Sequence, residues 1–95
     1  MQFMILAYDK KGDDTQIKRA SVKPSHLKVV DNFKKEGAFR FGGNILGDNE
    51  GIIGSVVVLE SESESVVRNY LNAEPYVTNQ VWENIEVLKV RLVFD

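Results

Sequence analysis

Residues 38–60 read AFRFGGNILGDNEGIIGSVVVLE, two apolar runs that are separated by a polar turn. The first run, residues 38–46, alternates aromatic with small or charged side chains and then reaches a pair of glycines. The second run, residues 52–60, is rich in valine and isoleucine, which favour β-strands. The intervening GDNEG, residues 47–51, has the composition of a turn. The segment therefore predicts a β-hairpin in the middle of the chain.

The residues before this hairpin predict one strand and one helix. FMILAYD, residues 3–9, is a short run of strand-forming residues that ends at the turn-like DKKGDD. The apolar spacing becomes helical over residues 21–35. Pro24 is compatible with the first turn of a helix, where its missing N–H needs no partner, and Gly37 suits the helix end. We therefore expect a helix that begins at about Ser21.

The residues after the hairpin predict a second helix and a last strand. Ser61 and Glu64 have the spacing of a capping box, in which two side chains satisfy backbone N–H groups at a helix start. An apolar stripe follows, formed by Val66, Val67, Tyr70 and Leu71. Apolar and charged side chains alternate over residues 85–94, but the phase slips at Val87–Leu88. The slip predicts a β-bulge or a bend in the last strand.

The predicted order of elements is β-α-β-β-α-β, the ferredoxin-like arrangement of an α+β domain. We predict one domain, residues 1–95, in which two helices cover one face of a four-stranded antiparallel sheet. The strands at residues 3–9 and 52–60 are nevertheless apolar on both faces. An uncovered apolar sheet face exceeds what monomers usually expose. The pattern therefore predicts a homodimer in which two such faces pack together.

The composition argues against several classes of partner. The net charge is −2, so no overall positive field attracts nucleic acid or an anionic membrane. The strand at residues 52–60 also lacks the aromatic and basic residues of RNA-recognition domains. There is no cysteine and one histidine, which argues against disulfides and against a transition-metal site. The N-terminal apolar run has no basic region and is interrupted by Asp9, so we expect no signal peptide, no membrane span and a cytoplasmic location.

The single histidine, His26, is the candidate for acid–base chemistry. It is spaced in line with Val29, Val30 and Phe33 on the apolar side of the predicted helix, where a histidine is more commonly a packed core residue. Its position two residues after Pro24 predicts that it lies in or near the first turn. The helix dipole there disfavours the imidazolium ion, whereas a neighbouring carboxylate favours it. A histidine balanced in this way is suited to proton transfer near neutral pH.

Four segments of the sequence together resemble the YCII-related family. In chain order they are MQFMILAYDK, KRASVKPSHL, GNILGDNEGIIGSVVVLES and LNAEPYVTNQVWENIEVLKV, and they span nearly the whole chain. The most specific parts are an R-x-x-x-x-P-x-H-L pattern that contains His26, a Gly54–Ser55 pair inside a strand, and an acidic-Pro-Tyr element that begins at Glu74.

The resemblance implies a dimeric α/β barrel and an acid–base pair of a histidine and a carboxylate. The histidine of the pair corresponds to His26. The family's usual Asp-Pro-Tyr is Glu-Pro-Tyr here, so Glu74 takes the acidic position, with its carboxylate one methylene further from the backbone. Asp9, at the end of the first predicted strand, also matches an acidic position in relatives and is the alternative partner.

The mechanism that the resemblance implies is proton transfer without a metal or an organic cofactor. Glu74 would orient His26 and stabilise its charge, and His26 would take a proton from a small, polar, phenolic or enolisable substrate. Tyr8, Arg19 and Ser55 are candidates to bind the oxygens of that substrate. Each also has a purely structural explanation. Tyr8 fits a residue that packs in the sheet, Arg19 fits a solvated charge on a loop, and Ser55 fits a serine that is tolerated inside a strand.

Two functions fit these residues. One relative in the family removes chloride from an aromatic ring, so the first function is a lyase- or isomerase-like enzyme. The second is a non-catalytic small-molecule-binding or stress-related dimer that uses the same pocket. A His26–carboxylate pair that faces a cavity favours the enzyme, whereas a His26 packed away from any cavity favours the second function. Tyr76 and Trp82 are expected to be core or interface aromatics.

Overall fold

The computed structural model describes residues 1–93, which form four strands and three helices. In chain order these are β1 (Gln2–Asp9), α1 (Asp13–Lys35), β2 (Phe39–Leu46), β3 (Ile52–Glu60), α2 (Ser65–Ala73), α3 (Pro75–Thr78) and β4 (Trp82–Val90). The predicted hairpin corresponds to β2 and β3, and the α+β order is confirmed with α3 as one short addition. None of the described helices is long and apolar enough to cross a membrane.

The four strands form one antiparallel sheet in the order β2-β3-β1-β4. The central strand β1 places Ile5 opposite Val57 of β3 on one side and opposite Val87 of β4 on the other. Residues that are directly opposite in such a ladder point to the same face of the sheet. The predicted ferredoxin-like topology is therefore confirmed, and this register decides which side chains meet the helices.

The core lies between the helices and one face of the sheet. Ile5 and Leu59 are fully buried there, as is Tyr70 of α2. The Tyr70 ring packs edge-on against Phe33 of α1, with 5.1 Å between ring centroids, and lies 6.2 Å from the Phe39 ring of β2. Because aromatic side chains bury large areas, Tyr70 joins α1, α2 and the edge of the sheet into one core.

The first helix, α1, begins at Asp13 and not near Ser21 as the sequence predicted. Asp13 and Asp14 occupy its first turn, where the helix dipole stabilises carboxylates, and the buried Arg19 anchors the next turns. Pro24 consequently lies inside the helix instead of at its start. The helix continues through Pro24 because packing of the surrounding turns outweighs one missing backbone hydrogen bond.

The second helix, α2, begins at Ser65 without a side-chain cap, so the predicted capping box at Ser61 and Glu64 is wrong. Instead, the Ser61 hydroxyl accepts a hydrogen bond from the backbone N–H of Ser63 at 3.1 Å. The Ser63 hydroxyl accepts one from the N–H of Ser65 at 3.2 Å. Serine side chains bond readily to backbone groups two residues on, and here these bonds form a turn before the helix.

The last strand, β4, pairs with β1 without interruption over residues 84–90, so the bulge predicted at Val87–Leu88 is wrong. The shift in its register lies at the other end of the strand, beside Glu83. Val87 and Leu88 are 42% and 37% exposed. β4 is an edge strand, and its apolar side chains are partly exposed on both faces. Their alternation therefore does not indicate which face is buried, and the bulge predicted from the phase of that alternation is absent. Phe94, which the sequence placed in this strand, lies outside the described residues.

The sheet face that points away from the helices is apolar, and none of the helices within residues 1–93 covers it. It carries Tyr8 and Leu88, which are 42% and 37% exposed, between half-buried apolar side chains. Alternation along β1 and β3 sends one set of apolar side chains to the core and the other set to this face. The face therefore has the apolar character of surfaces that pack against another protein.

Candidate functional site

The centre of the candidate site is a buried carboxylate at the junction of α2 and α3. Glu74 ends α2, caps α3 and is fully buried. Its carboxylate accepts hydrogen bonds from the Tyr70 hydroxyl at 2.5 Å and from the backbone N–H of Tyr76 at 3.1 Å, and its Oε1 lies 2.8 Å from Nδ1 of His26. A carboxylate is tolerated in the interior only when its lone pairs are satisfied in this way.

His26 reaches Glu74 from the middle of α1. This position corrects the prediction of a histidine in the first turn, so the helix dipole does not oppose the imidazolium ion there. While Nδ1 contacts Glu74, Nε2 bonds to no residue in the part of the chain that the structure describes. His26 also lines a cavity, and its side chain is 17% exposed. One ring nitrogen is therefore held by the protein, and the other is available to a ligand.

Two tyrosines complete the surroundings of this pair. Burial raises the pKa of the Tyr70 hydroxyl, and the negative charge of Glu74 raises it further, so Tyr70 stays a hydrogen-bond donor. Burial also raises the pKa of Tyr76, against the opposite effect of the Arg19 guanidinium. The Tyr76 ring stacks on the His26 imidazole with 4.3 Å between centroids, and the guanidinium of Arg19 lies 4.5 Å from the Tyr76 centroid. Tyr76 therefore fixes the plane of the imidazole.

A second buried network lies beside the first and is centred on Arg19. Its Nη1 donates to both carboxylate oxygens of the buried Asp9, at 2.7 and 2.9 Å. Its Nη2 donates to the Ser55 hydroxyl at 2.7 Å and to Oδ1 of Asn44 at 3.2 Å, and Gln16 donates to Asp9 at 3.2 Å. Both terminal nitrogens of Arg19 are occupied and its charge is balanced, so it is neither a solvated loop charge nor a free ligand for a substrate.

The structure brings together five of the six side chains that the sequence nominated. The five are His26, Glu74, Asp9, Arg19 and Ser55. Glu74, and not the alternative Asp9, is the partner of His26. Tyr8 lies on the opposite face of the sheet, because alternate residues of β1 point to opposite sides and Asp9 points toward α1. Tyr8 is therefore not part of this site.

A cavity of about 570 Å³ opens between α1 and the edge of the sheet formed by β2 and β3. Its polar lining includes His26, Tyr76 and Ser55, and its apolar lining includes Val30, Phe39 and Val57. Cavities that hold small molecules typically enclose roughly 300–1,000 Å³, so this one has the size for a ligand of one or two rings. Within residues 1–93, no three His, Cys, Asp or Glu side chains are grouped so that they could hold a metal ion.

Four residues of the site have no functional role in the sequence prediction, namely Gln16, Tyr70, Tyr76 and Asn44. The available signal for Tyr70 is its spacing of four residues before Glu74, which places both side chains on one face of a helix. Tyr76 belongs to the Glu-Pro-Tyr element, where the sequence predicts only a core or interface aromatic. No local pattern marks Asn44, because it joins the site through its pairing with Ser55 across the hairpin.

These features define a class of protein: a ferredoxin-like α+β fold with a ligand-sized cavity against the helical face of its sheet. Within that class, the chain belongs to the YCII-related family, because the model of the YCII-related domain matches residues 1–91. The resemblance found in the sequence is therefore confirmed. Its relatives include protein YciI of Escherichia coli O6:H1 and protein YciI of Shigella flexneri. Each is 33% identical over 100 residues, which covers 99% of this chain and 100% of the relative.

Solved structures with the same fold include 5-chloro-2-hydroxyhydroquinone dehydrochlorinase (TftG) from Burkholderia phenoliruptrix, in complex with 2,5-dihydroxybenzoquinone. It matches with a TM-score of 0.81 and 24% identity, covering 96% of this chain and 94% of that chain. A NIPSNAP domain protein from Burkholderia xenovorans matches with a TM-score of 0.55 and 15% identity, covering 100% of this chain and 98% of that chain. At these identities the two matches establish the shared fold.

Proposed function

We propose that this protein is an acid–base enzyme that acts on a small hydroxylated or enolisable ring compound, with His26 as the group that transfers the proton. One observation carries the proposal: Nδ1 of His26 lies 2.8 Å from the buried Glu74, while Nε2 bonds to no described residue and the side chain lines the cavity. A proton-transfer group needs this combination of one fixed nitrogen and one that a substrate can reach.

Glu74 determines which nitrogen of His26 carries the proton. An ionised carboxylate only accepts hydrogen bonds, so Nδ1 donates to it and the lone pair of the neutral imidazole is on Nε2. In the proposed step, Nε2 takes a proton from a substrate hydroxyl or from a carbon next to a carbonyl group. Glu74 then stabilises the imidazolium ion that forms. The proton is afterwards released to solvent or returned to another atom of the substrate.

Ser55 and Tyr76 are the proposed contacts for the oxygens of the substrate. The Ser55 hydroxyl accepts a hydrogen bond from Arg19, which leaves its own hydrogen to donate to a ligand in the cavity. Tyr76 lines the same cavity, and its hydroxyl bonds to no residue in the described part of the chain. Arg19, which the sequence nominated as a substrate contact, takes the different role of holding Ser55 and Tyr76 in position.

The similarity to a dehydrochlorinase supports ring compounds as the substrate class. That structural neighbour was solved with 2,5-dihydroxybenzoquinone, and its fold matches 96% of this chain. The site favours elimination or isomerisation, because in both reactions a proton leaves one atom while a leaving group departs or a proton is returned elsewhere. The proposed step uses no metal and no organic cofactor, and we expect it to take place in the cytoplasm.

Binding and turnover of ring compounds test this proposal. We expect 2,5-dihydroxybenzoquinone to cause saturable NMR shifts of the His26 and Tyr76 ring signals. We also expect the protein to release chloride from 5-chloro-2-hydroxyhydroquinone, or to exchange the ring-bound hydrogen of 2,5-dihydroxybenzoquinone with deuterium from solvent. The rate should fall by roughly 100-fold or more in His26→Asn, the usual range for loss of an acid–base group. Lys28→Gln, an exposed substitution on the same helix, is the control.

The remaining outcomes of this experiment separate the two functions. Binding without chloride release or hydrogen exchange would contradict the enzyme and favour a non-catalytic small-molecule-binding or stress-related dimer that uses the same cavity. Absence of binding would contradict the proposed enzyme, because it places a small ring compound in this cavity.

We also propose that two chains form a homodimer by packing together the sheet faces that point away from the helices. The support is the partly exposed apolar side chains of Tyr8 and Leu88 on this face, because an exposed apolar patch marks an interaction surface. Sedimentation equilibrium at micromolar concentration should therefore give a mass near twice the chain mass of 10.7 kDa. A mass near that of one chain would contradict the proposal.

A matched pair of substitutions on β4 tests which face forms the interface. Leu88 and Val87 are neighbours with 37% and 42% exposure, and they point to opposite faces of the sheet. We expect Leu88→Asp to produce monomers, because it would place a charge within the interface, and Val87→Asp to leave the dimer intact. Equal effects of the two substitutions on the sedimentation mass would show that the sheet-to-sheet geometry is wrong.

A further inference from the structure

The titratable side chains that line the cavity between α1 and the hairpin are, apart from Tyr76, all basic. They are Arg19, Lys23, His26, Lys34 and Arg40, and no carboxylate from the described chain joins them in the lining. The carboxylates of Asp9 and Glu74 lie behind Arg19 and His26 and contact them directly. The cavity therefore presents positive charge to whatever occupies it.

Most of this charge is already balanced by a partner. Arg19 is bound to Asp9, His26 contacts Glu74, and Arg40 lies 3.8 Å from Glu60. Lys23 and Lys34 differ, because neither lies within 4.0 Å of a carboxylate in residues 1–93. The uncompensated positive charge of the cavity is therefore on these two lysines.

Lys23 is the lysine that can act together with His26. It lies three residues earlier on α1, so the two side chains share one helix face and are about 4.5 Å apart along the helix axis. Lys34 lies eight residues after His26, about 12 Å along the axis. Along the helix axis, a single ring that places one oxygen at Nε2 of His26 is therefore nearer to the backbone position of Lys23 than to that of Lys34.

We propose that the cavity selects a small ring compound that carries a carboxylate, and that Lys23 is the residue that determines this selection. The inference rests on the proposed function, since it names the substrate class of the same site. An unpaired ammonium group beside a partly enclosed cavity favours an anion over its neutral analogue. A carboxylate carries one negative charge, which one ammonium group balances, whereas a phosphate group carries up to about two.

Two probes with the same hydroxylated ring, one carrying a carboxylate and one its neutral methyl ester, test the proposal. We measure the affinity of the full chain for 2,5-dihydroxybenzoate and for its methyl ester by calorimetry at low ionic strength. The free acid should bind roughly tenfold more tightly than the ester, and added salt should reduce this preference. In Lys23→Gln the preference should fall to within about threefold through loss of affinity for the acid, with the affinity for the ester unchanged. Lys28→Gln, on an exposed position outside the cavity, should retain the wild-type preference.

Three other results would each contradict a different claim about the cavity. Equal affinities of the wild-type protein for acid and ester would contradict the selection of a carboxylate and leave the proposed function standing. A preference that persists in Lys23→Gln and disappears in Lys34→Gln would contradict the role of Lys23. If neither probe binds, the proposed function fails together with this inference.

Discussion

Arg19→Leu is expected to lower the free energy of unfolding by about 3–5 kcal/mol, because it removes one partner of a buried ion pair. Asp9 would stay buried, with Gln16 as its one side-chain donor in the described chain. Ser55 would also lose the hydrogen bond that it accepts from Arg19. A buried charge without its counter-ion lowers the stability far more than replacement of the whole pair by apolar side chains does. Arg19→Leu should therefore be less stable than a double variant that carries both Arg19→Leu and Asp9→Leu.

Urea unfolding of four proteins at pH 7 measures this effect. They are the wild type, Arg19→Leu, Asp9→Leu and the double variant. We expect the double variant to be more stable than Arg19→Leu by at least about 1–2 kcal/mol, because no uncompensated charge is left in the interior. Lys18→Leu, an exposed neighbour on α1, should change the stability by no more than about 0.5 kcal/mol. A loss of less than about 1 kcal/mol in Arg19→Leu would contradict the burial of this pair.

The sheet is the part of the fold that the sequence predicts well. β1 and β3 are buried on at least one face along most of their length, so burial alone imposes their continuous runs of valine, isoleucine and leucine. The turn at residues 47–51 then determines that β2 and β3 are neighbours. The order of elements leaves the ferredoxin-like topology as the natural arrangement, and the structure confirms it.

The helix starts and the last strand are harder to predict because local signals there do not follow burial. The start of α1 depends on the burial of Thr15 and Arg19. Polar and charged residues are usually exposed, so the sequence does not indicate that these two are buried. Pro24 is a strong but misleading local signal. The residues of β4 from Glu83 to Lys89 are exposed on both faces, so their alternation carries no information about the core.

The candidate site shows what a sequence can and cannot supply. The resemblance to a family nominates His26 and Glu74, but their contact joins α1 to a turn 48 residues away, which no periodicity encodes. The alternation of β1 does carry one usable signal, because Tyr8 and Asp9 are adjacent and must point to opposite faces. A site that includes Asp9 therefore excludes Tyr8, but the contact with Arg19 that places Asp9 on the helical side is visible only in the structure.

Glu74→Gln is expected to slow the turnover of a ring substrate by roughly 100- to 1,000-fold while the fold is retained. The backbone N–H of Tyr76 is a fixed donor at Oε1 of Glu74, so the amide oxygen of the variant must take that position and its NH₂ group must face Tyr70. The amide oxygen then still accepts the Nδ1 proton of His26. The substitution keeps the tautomer and removes only the negative charge that stabilises the imidazolium ion.

Tyr70 provides the means to separate this catalytic effect from loss of stability. In Glu74→Gln, the Tyr70 hydroxyl meets an amide donor and loses the acceptor for its own proton, which is destabilising in the core. Tyr70→Phe in a chain that keeps Glu74 removes one hydrogen bond to the buried carboxylate, so it should also lower the stability. It should retain most of the wild-type rate, because the carboxylate charge is still present. Equal losses of rate in Tyr70→Phe and Glu74→Gln would mean that Glu74 acts through stability alone.

The effect of Glu74→Gln in a chain that already carries His26→Asn completes the test. If the carboxylate acts only through the imidazole, the second substitution has nothing left to stabilise, and the rates of His26→Asn and of the double variant should agree within about threefold. Glu74→Asp keeps the charge that Glu74→Gln removes, so it should retain more of the wild-type rate than Glu74→Gln does. A further large loss in the double variant would show that Glu74 contributes to turnover independently of His26. In that case the pair would not be one acid–base unit, and the proposed mechanism would be wrong even if both side chains were essential.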